Sequence, residues 1–413
     1  MSKSLKTDRK KGKKKSIEDT DAWNSADFDY AGLMAQGMMP LLGTPLSGQE
    51  RIEYLDEIIK VCPEYYPALI ELGYRYIQDG MDEPGKASIE KGLLSLKTHF
   101  SKKNLMDAYY NTCEFLEKHF RFDLAIEYYN RLMELESDKA AVYDSLSYCY
   151  ATLGEAEKAF ETQQKALELC DSNPKFYCNM GWVELIRGNL DAAKIMLEKS
   201  LELDQEDEIT LNNYEACKLM LKSKRLKNWE AYLLRETDYE HLKKLEDEDE
   251  CEDYERQVRD YNSAKVEAFK LDLVQNRNYT PAEKYDIIFS LNYTFELITE
   301  LYHSGYFFYD DIVEVEVYFK HIMHNVILKT GDIDDEIFNG VYRALLEFYK
   351  FLAKRKVVSG YKSLKDEMNE LKSELGEKML RYNEIRHNVE YTKEEKDEIK
   401  EEIFGGDAFY PSL

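Results

Sequence analysis

The chain has 413 residues, room for two or three folded units, of which 33% are charged and 13% aromatic, with only 19 glycines and 8 prolines. So few turn formers beside so many helix and core formers argue against an all-β sandwich or a repeated βαβ fold. The net charge of −25 argues against a nucleic-acid-binding body, because phosphate has to be met by lysine and arginine.

Residues 1–15 oppose that balance: Lys3, Lys6, Arg9, Lys10, Lys11, Lys13, Lys14 and Lys15 stand against Asp8 alone. A block of like charge with nothing to bury is expected to lack structure, and a basic tail over 1–30 is drawn on that basis. It is either a tether, with a weak nucleic-acid or ribosome contact through residues 1–15, or a solubilising partner for the acidic body. No apolar stretch follows the first lysines and no run of 18 apolar residues occurs anywhere, which predicts neither a leader nor a membrane span and places the protein in the cytoplasm. The seven cysteines are scattered, without a CxxC pair or zinc-finger spacing. They read as small core residues in a reducing compartment, and no metal or cofactor is expected.

The strongest pattern is a repeat. Ala125, Ala159 and Ala193 recur every 34 residues, each ahead of a helical stretch. Tyr109, Leu116 and Tyr129 in the first unit match Tyr143, Leu146, Tyr150 and Ala166 in the second, and Tyr177, Met180, Gly181, Gly188 and Leu197 in the third. Small residues at Cys113, Ser147 and Gly181 suit the closest approach of two helices, and Gly154 and Gly188 suit the turn between them. The first unit has Phe120 at that turn, which predicts a slightly different connection. Upstream, Leu72-Gly73 and Gly80 open one more unit, with Ala87 read as its register alanine after a two-residue insertion near Pro84. Downstream, 211–221 and 229–234 suggest a fifth, with a second helix polar on one side to face water. This pattern resembles the tetratricopeptide repeat and covers about residues 46–235. The resemblance implies an all-α solenoid of helix–turn–helix units that binds protein or peptide segments in a concave groove.

Beyond it, seven carboxylates within 246–253 read as part of an acidic linker or helix over 236–262, since the spacing of a calcium loop is absent. Residues 263–358 read as a helical domain with an aromatic core. One helix opens at Thr280-Pro281-Ala282-Glu283 in capping order and carries an apolar stripe through Tyr285, Ile288, Phe289, Phe295, Ile298 and Tyr302. A second runs through Ile312, Val315 and Phe319, and a third through Ile337 to Leu352. From 359 to 404, Leu364, Met368, Leu371, Leu375, Tyr382, Ile385 and Val389 form a heptad-like arm. It either packs back on the aromatic domain or forms a coiled-coil homodimer. Residues 405–413 are a short tail.

Chemistry is sparse. His321 and His324 share a helix face but lack the third ligand and flanking motif of a metal site, so a metal-dependent enzyme is the second alternative, behind a nucleic-acid- or ribosome-associated regulator tethered by the basic tail. No phosphate-cradling loop or nucleophile elbow occurs. The reading is therefore a non-enzymatic interaction scaffold. By the resemblance, the sixth slot of each unit faces the groove, and it holds Asn111, Ser145, Asn179 and Asn213, an amide ladder with one rung missing at Ser145, suited to an extended peptide backbone. The neighbouring slots add Tyr110, Asp144, Tyr148 and Trp182, which favour apolar or basic side chains.

Overall fold

The computed structural model describes residues 25–37, 48–136, 138–248, 250–302, 308–312, 315, 335–386 and 388–404. The described residues form helices and no strand. In chain order the first eleven are α1 Ser25–Gly37, α2 Gly48–Val61, α3 Tyr66–Gln78, α4 Asp82–His99, α5 Lys102–Lys118, α6 Phe122–Leu135, α7 Lys139–Thr152, α8 Ala156–Leu169, α9 Pro174–Arg187, α10 Leu190–Leu203 and α11 Glu208–Lys222. They are followed by α12 Trp229–Leu233, α13 Tyr239–Asp247, α14 Cys251–Gln275, α15 Pro281–Tyr302, α16 Asp335–Lys354, α17 Tyr361–Arg386 and α18 Lys393–Phe404. Two compact units divide the chain, one within 1–115 and 127–137, the other within 116–126 and 138–413.

Three of the solenoid helices start where the sequence supplies side-chain caps. The carboxylate of Asp138 accepts from the amide of Ala141, the side-chain oxygen of Asn173 from Lys175, and the carboxylate of Asp207 from Thr210, opening α7, α9 and α11. Each pair then closes through the same turn. Gly80, Gly154 and Gly188 take φ of 76°, 81° and 80°, and Phe120 takes 59°. Phe120 donates its amide to the Glu117 carbonyl and Arg121 donates to Leu116, as Gly154 and Glu155 do to Ala151 and Tyr150. The turn at Phe120 therefore has the glycine geometry after all: backbone hydrogen bonding fixes the left-handed residue even where a side chain makes it costly.

The small-residue slots pack as expected. Ala125, Ala159 and Ala193 are fully buried, the Ser147 hydroxyl donates to the Ala159 carbonyl at 2.8 Å, and a Cβ on Gly181 would lie 2.5 Å from Leu197 Cγ. The upstream unit needs no insertion before its register residue. Gly85, five residues past Gly80 as Ala159 is past Gly154, fills the alanine slot, where a Cβ would meet Ile77 at 2.6 Å. Ala87 is exposed. The additional length comes later, in α4, which has 18 residues against 14 in α6, α8 and α10.

In the first unit, Leu55, Ile58, Tyr65, Ala68 and Leu72 form a core with Ala31 of α1. Helix α1 opens inside the segment expected to be a tail, because Phe28 and Ala31 give it a face to bury against Tyr65, whose ring lies 4.8 Å from that of Phe28.

In the second unit one core runs from the solenoid into the C-terminal helices. It joins Leu185, Leu197, Cys217, Met220, Tyr232 and Leu233 to Phe269, Leu273, Leu291, Phe295, Phe348 and Leu352. The expected water-facing end helix is thus replaced by α12, only five residues long and buried at Tyr232 and Leu233. The segment expected as an acidic linker or helix holds α13 and the start of α14, and Leu242 of α13 packs with Val258 and Tyr261 of α14 and with Phe308. In α15 the buried face is Ile287, Ile288, Leu291 and Phe295, whereas Tyr285 and Phe289 are exposed. The heptad arm packs inward within this unit, with Leu364 and Met368 in the core and Leu371, Tyr382 and Ile385 against it.

Five cysteines are buried, but Cys170 is only half-buried and Cys251 is exposed. No described helix is long and apolar enough to cross a membrane. Residues 1–15, His321 and His324 lie outside the described residues, as does Phe319 of the helix expected through Ile312, Val315 and Phe319.

Candidate functional site

Residues three and four apart on a helix share a face, and three alternate helices use that spacing to line one cleft. Asp144, Ser145 and Tyr148 come from α7, Lys175, Asn179 and Trp182 from α9, and Ile209, Asn212, Asn213 and Ala216 from α11. The opposite wall is the chain's own helix α14, through Asp260, Ser263, Ala264, Val266, Glu267 and Lys270. Trp229 and Tyr232 close one side, and the cavity measures about 950 Å³. Every lining residue lies in the second unit.

The cleft gathers five of the seven residues singled out from the sequence: Asp144, Tyr148, Asn179, Trp182 and Asn213. Tyr110 and Asn111 belong to the first unit and do not line it. There the Tyr110 hydroxyl donates to Glu136 at 3.1 Å, and Asn111 is exposed.

The asparagines tie neighbouring repeats together. Asn179 Nδ2 donates to Asp144 Oδ1 at 2.7 Å, and Asn213 Nδ2 to Cys178 Sγ at 3.6 Å, each reaching one repeat back. Asp144 is nearly inaccessible, and Gln163 Nε2 also donates to it at 2.8 Å, while Lys175 Nζ stands 3.5 Å away. A buried carboxylate needs such donors. Asn179 therefore supports the fold as well as facing the cleft.

Aromatic rings form a platform beside these amides. Tyr148 is 44% exposed and its ring lies 5.8 Å from that of Trp182, with 30° between the planes. Burial pushes the Tyr148 phenol up to about 12, and the carboxylates of Glu267 and Glu117 add to the shift. Burial likewise raises the Glu267 carboxyl, with Lys270 opposing it.

Behind the opposite wall lies a cationic pair missed by sequence reasoning. The Arg235 guanidinium sits 4.1 Å and 4.4 Å from the ring centroids of Tyr232 and Tyr261 and is ion-paired to Asp260. Lys265 is fully buried, pairs with Asp310 at 3.2 Å, and donates to the Arg235 carbonyl; burial lowers its pKa. Both cations have counter-ions, so the pair anchors α14 to α12 and the adjoining loop. Among the described residues no group of three metal-ligating side chains converges.

A tetratricopeptide-repeat family model matches residues 140–173 and 174–207. No curated protein matches the chain. Among solved structures, YrrB, described as a TPR protein with an unusual peptide-binding site, is 18% identical, with 46% of this chain and 90% of that one covered at a TM-score of 0.32. MamA from Desulfovibrio magneticus RS-1 is 20% identical over 44% of this chain and 97% of that one, also at 0.32. A thermophilic TPR protein from Thermus thermophilus, TTC0263, is 17% identical over 47% and 98%, at 0.23.

Proposed function

We propose, from a chain whose residues 140–207 are tetratricopeptide repeats, that the protein is a non-enzymatic scaffold that captures a peptide segment in the cleft between α7, α9, α11 and α14. The observation that carries this reading is the cleft itself. Amides at Asn179, Asn212 and Asn213 lie beside the rings of Tyr148, Trp182 and Trp229 in a cavity of about 950 Å³. Amides pair with peptide groups and rings take side chains, the combination found where extended segments are held. With α14 as a second wall, the site suits a short segment better than a long strand laid along an open trough.

The test is binding by the full chain to peptides selected from a degenerate library, measured by titration. Trp182→Ala removes a central aromatic contact and is expected to weaken binding about tenfold or more. Asn111→Ala in the first unit reads whether that unit contributes. Undiminished affinity in Trp182→Ala would place the capture surface elsewhere.

A further inference from the structure

We infer that the cleft holds a subsite for a cationic side chain, formed by the Glu267 carboxylate of α14 facing the Tyr148 and Trp182 rings, and that the captured segment carries a lysine or arginine there. This deepens the peptide-capture reading and rests on it.

Charge around the cavity is unbalanced. Glu117, Asp144, Asp260 and Glu267 line it against Lys175 and Lys270. Three of the four carboxylates have visible engagements: Asp144 with Asn179 and Gln163, Asp260 with Arg235 and Tyr232, and Glu117 with the thiol of Cys149 at 3.4 Å. Glu267 differs. Among the described residues it makes no hydrogen bond or ion pair, and its one favourable electrostatic neighbour is Lys270, one turn on along the same helix. Its charge bears on Tyr148 across the cleft, raising the pKa of that phenol.

Glu267 is half-buried; a carboxylate partly withdrawn from water without a partner carries a cost, and a ligand cation that supplies the partner offsets it on binding. Aromatic faces strengthen the match, because the ring quadrupole attracts a cation and the stem of lysine or arginine packs on the same surface. An acidic ligand side chain would meet the like charges of Glu267 and Glu117, four carboxylates in all against Lys175 and Lys270. The acidity of the whole chain, at −25, works in the same direction by drawing basic segments to the surface.

The test is a degenerate peptide array probed with purified full-length chain at fixed ionic strength, followed by titration of selected peptides and of copies in which citrulline replaces arginine. The expected result is enrichment of lysine or arginine at one peptide position, a loss of about tenfold or more on the citrulline exchange, and abolition of that difference in Glu267→Gln. Peptides captured with no preference for a cation would overturn the subsite and leave peptide capture standing, whereas no capture at all would overturn both. A preference that persists unchanged in Glu267→Gln would overturn the role of Glu267. The citrulline comparison is made on the wild-type chain and so holds even if the variant folds poorly.

Discussion

Phe120 occupies the left-handed turn with φ of 59° where Gly80, Gly154 and Gly188 stand in the other units. An L-residue pays about 1–2 kcal/mol for that conformation, and glycine does not. The Phe120 ring packs against the second unit's core, which is what keeps a bulky residue there. Phe120→Gly and Phe120→Ala remove nearly the same contacts, so their difference isolates the backbone. The glycine variant is expected to be the more stable by about 1 kcal/mol in urea unfolding, the reverse of their order in a helix. Equal stabilities, or alanine ahead, would show that the turn relaxes when the ring is lost. The asparagines show a similar double duty: Asn179 was legible as a groove residue from its slot, but not as the donor to buried Asp144, because a hydrogen bond 35 positions back follows from how two repeats pack.

Among elements, α15 begins with a reciprocal cap: Thr280 N–H donates to Glu283 Oε2 at 2.8 Å, and Glu283 N–H to Thr280 Oγ1 at 3.2 Å. The Thr280 amide, and then Arg343, hold the Glu283 carboxyl below its ordinary range. A folded pKa below the unfolded value of about 4.3 adds stability that is present above that pH and lost as pH falls through the folded pKa. Thr280→Ala is expected to cost about 1 kcal/mol, and the stability gap between wild type and Glu283→Gln to shrink below about pH 4. A gap constant from pH 7 to pH 3 in thermal melts would exclude the charge. This cap was readable in four letters, as was the 34-residue step, because both are local or periodic signals. Gly85 was not, since a glycine behind Pro84 reads as a break and gives no sign of replacing alanine at a helix contact. Helix α14 hid its role too. Ala264, Lys265, Val266, Ala268 and Phe269 are all buried, so it has no single apolar stripe, and a lysine in the middle of that run disguises a core helix as a surface one.

At the scale of the whole molecule, the continuous core of the second unit ties the last repeats to the C-terminal helices. Cutting the chain after 235 would uncover Ala216, Cys217, Met220, Tyr232 and Leu233 and deprive Arg235 of Asp260. Such a fragment is expected to melt well below the full chain and to bind a hydrophobic dye, whereas an open repeat array tolerates truncation at a repeat boundary. A fragment with the melting temperature of the full chain and no dye binding would show that the repeats stand alone. Helix α14, 25 residues and about 37 Å long at 1.5 Å per residue, lines the cleft together with α7, α9 and α11 and so acts as a ruler for three consecutive repeats. A lineage that duplicated or lost a unit within that stretch would change the span without changing the ruler. Copy number between α7 and α11 should therefore stay fixed over evolutionary time, and repeat gain or loss should be confined to other parts of the chain.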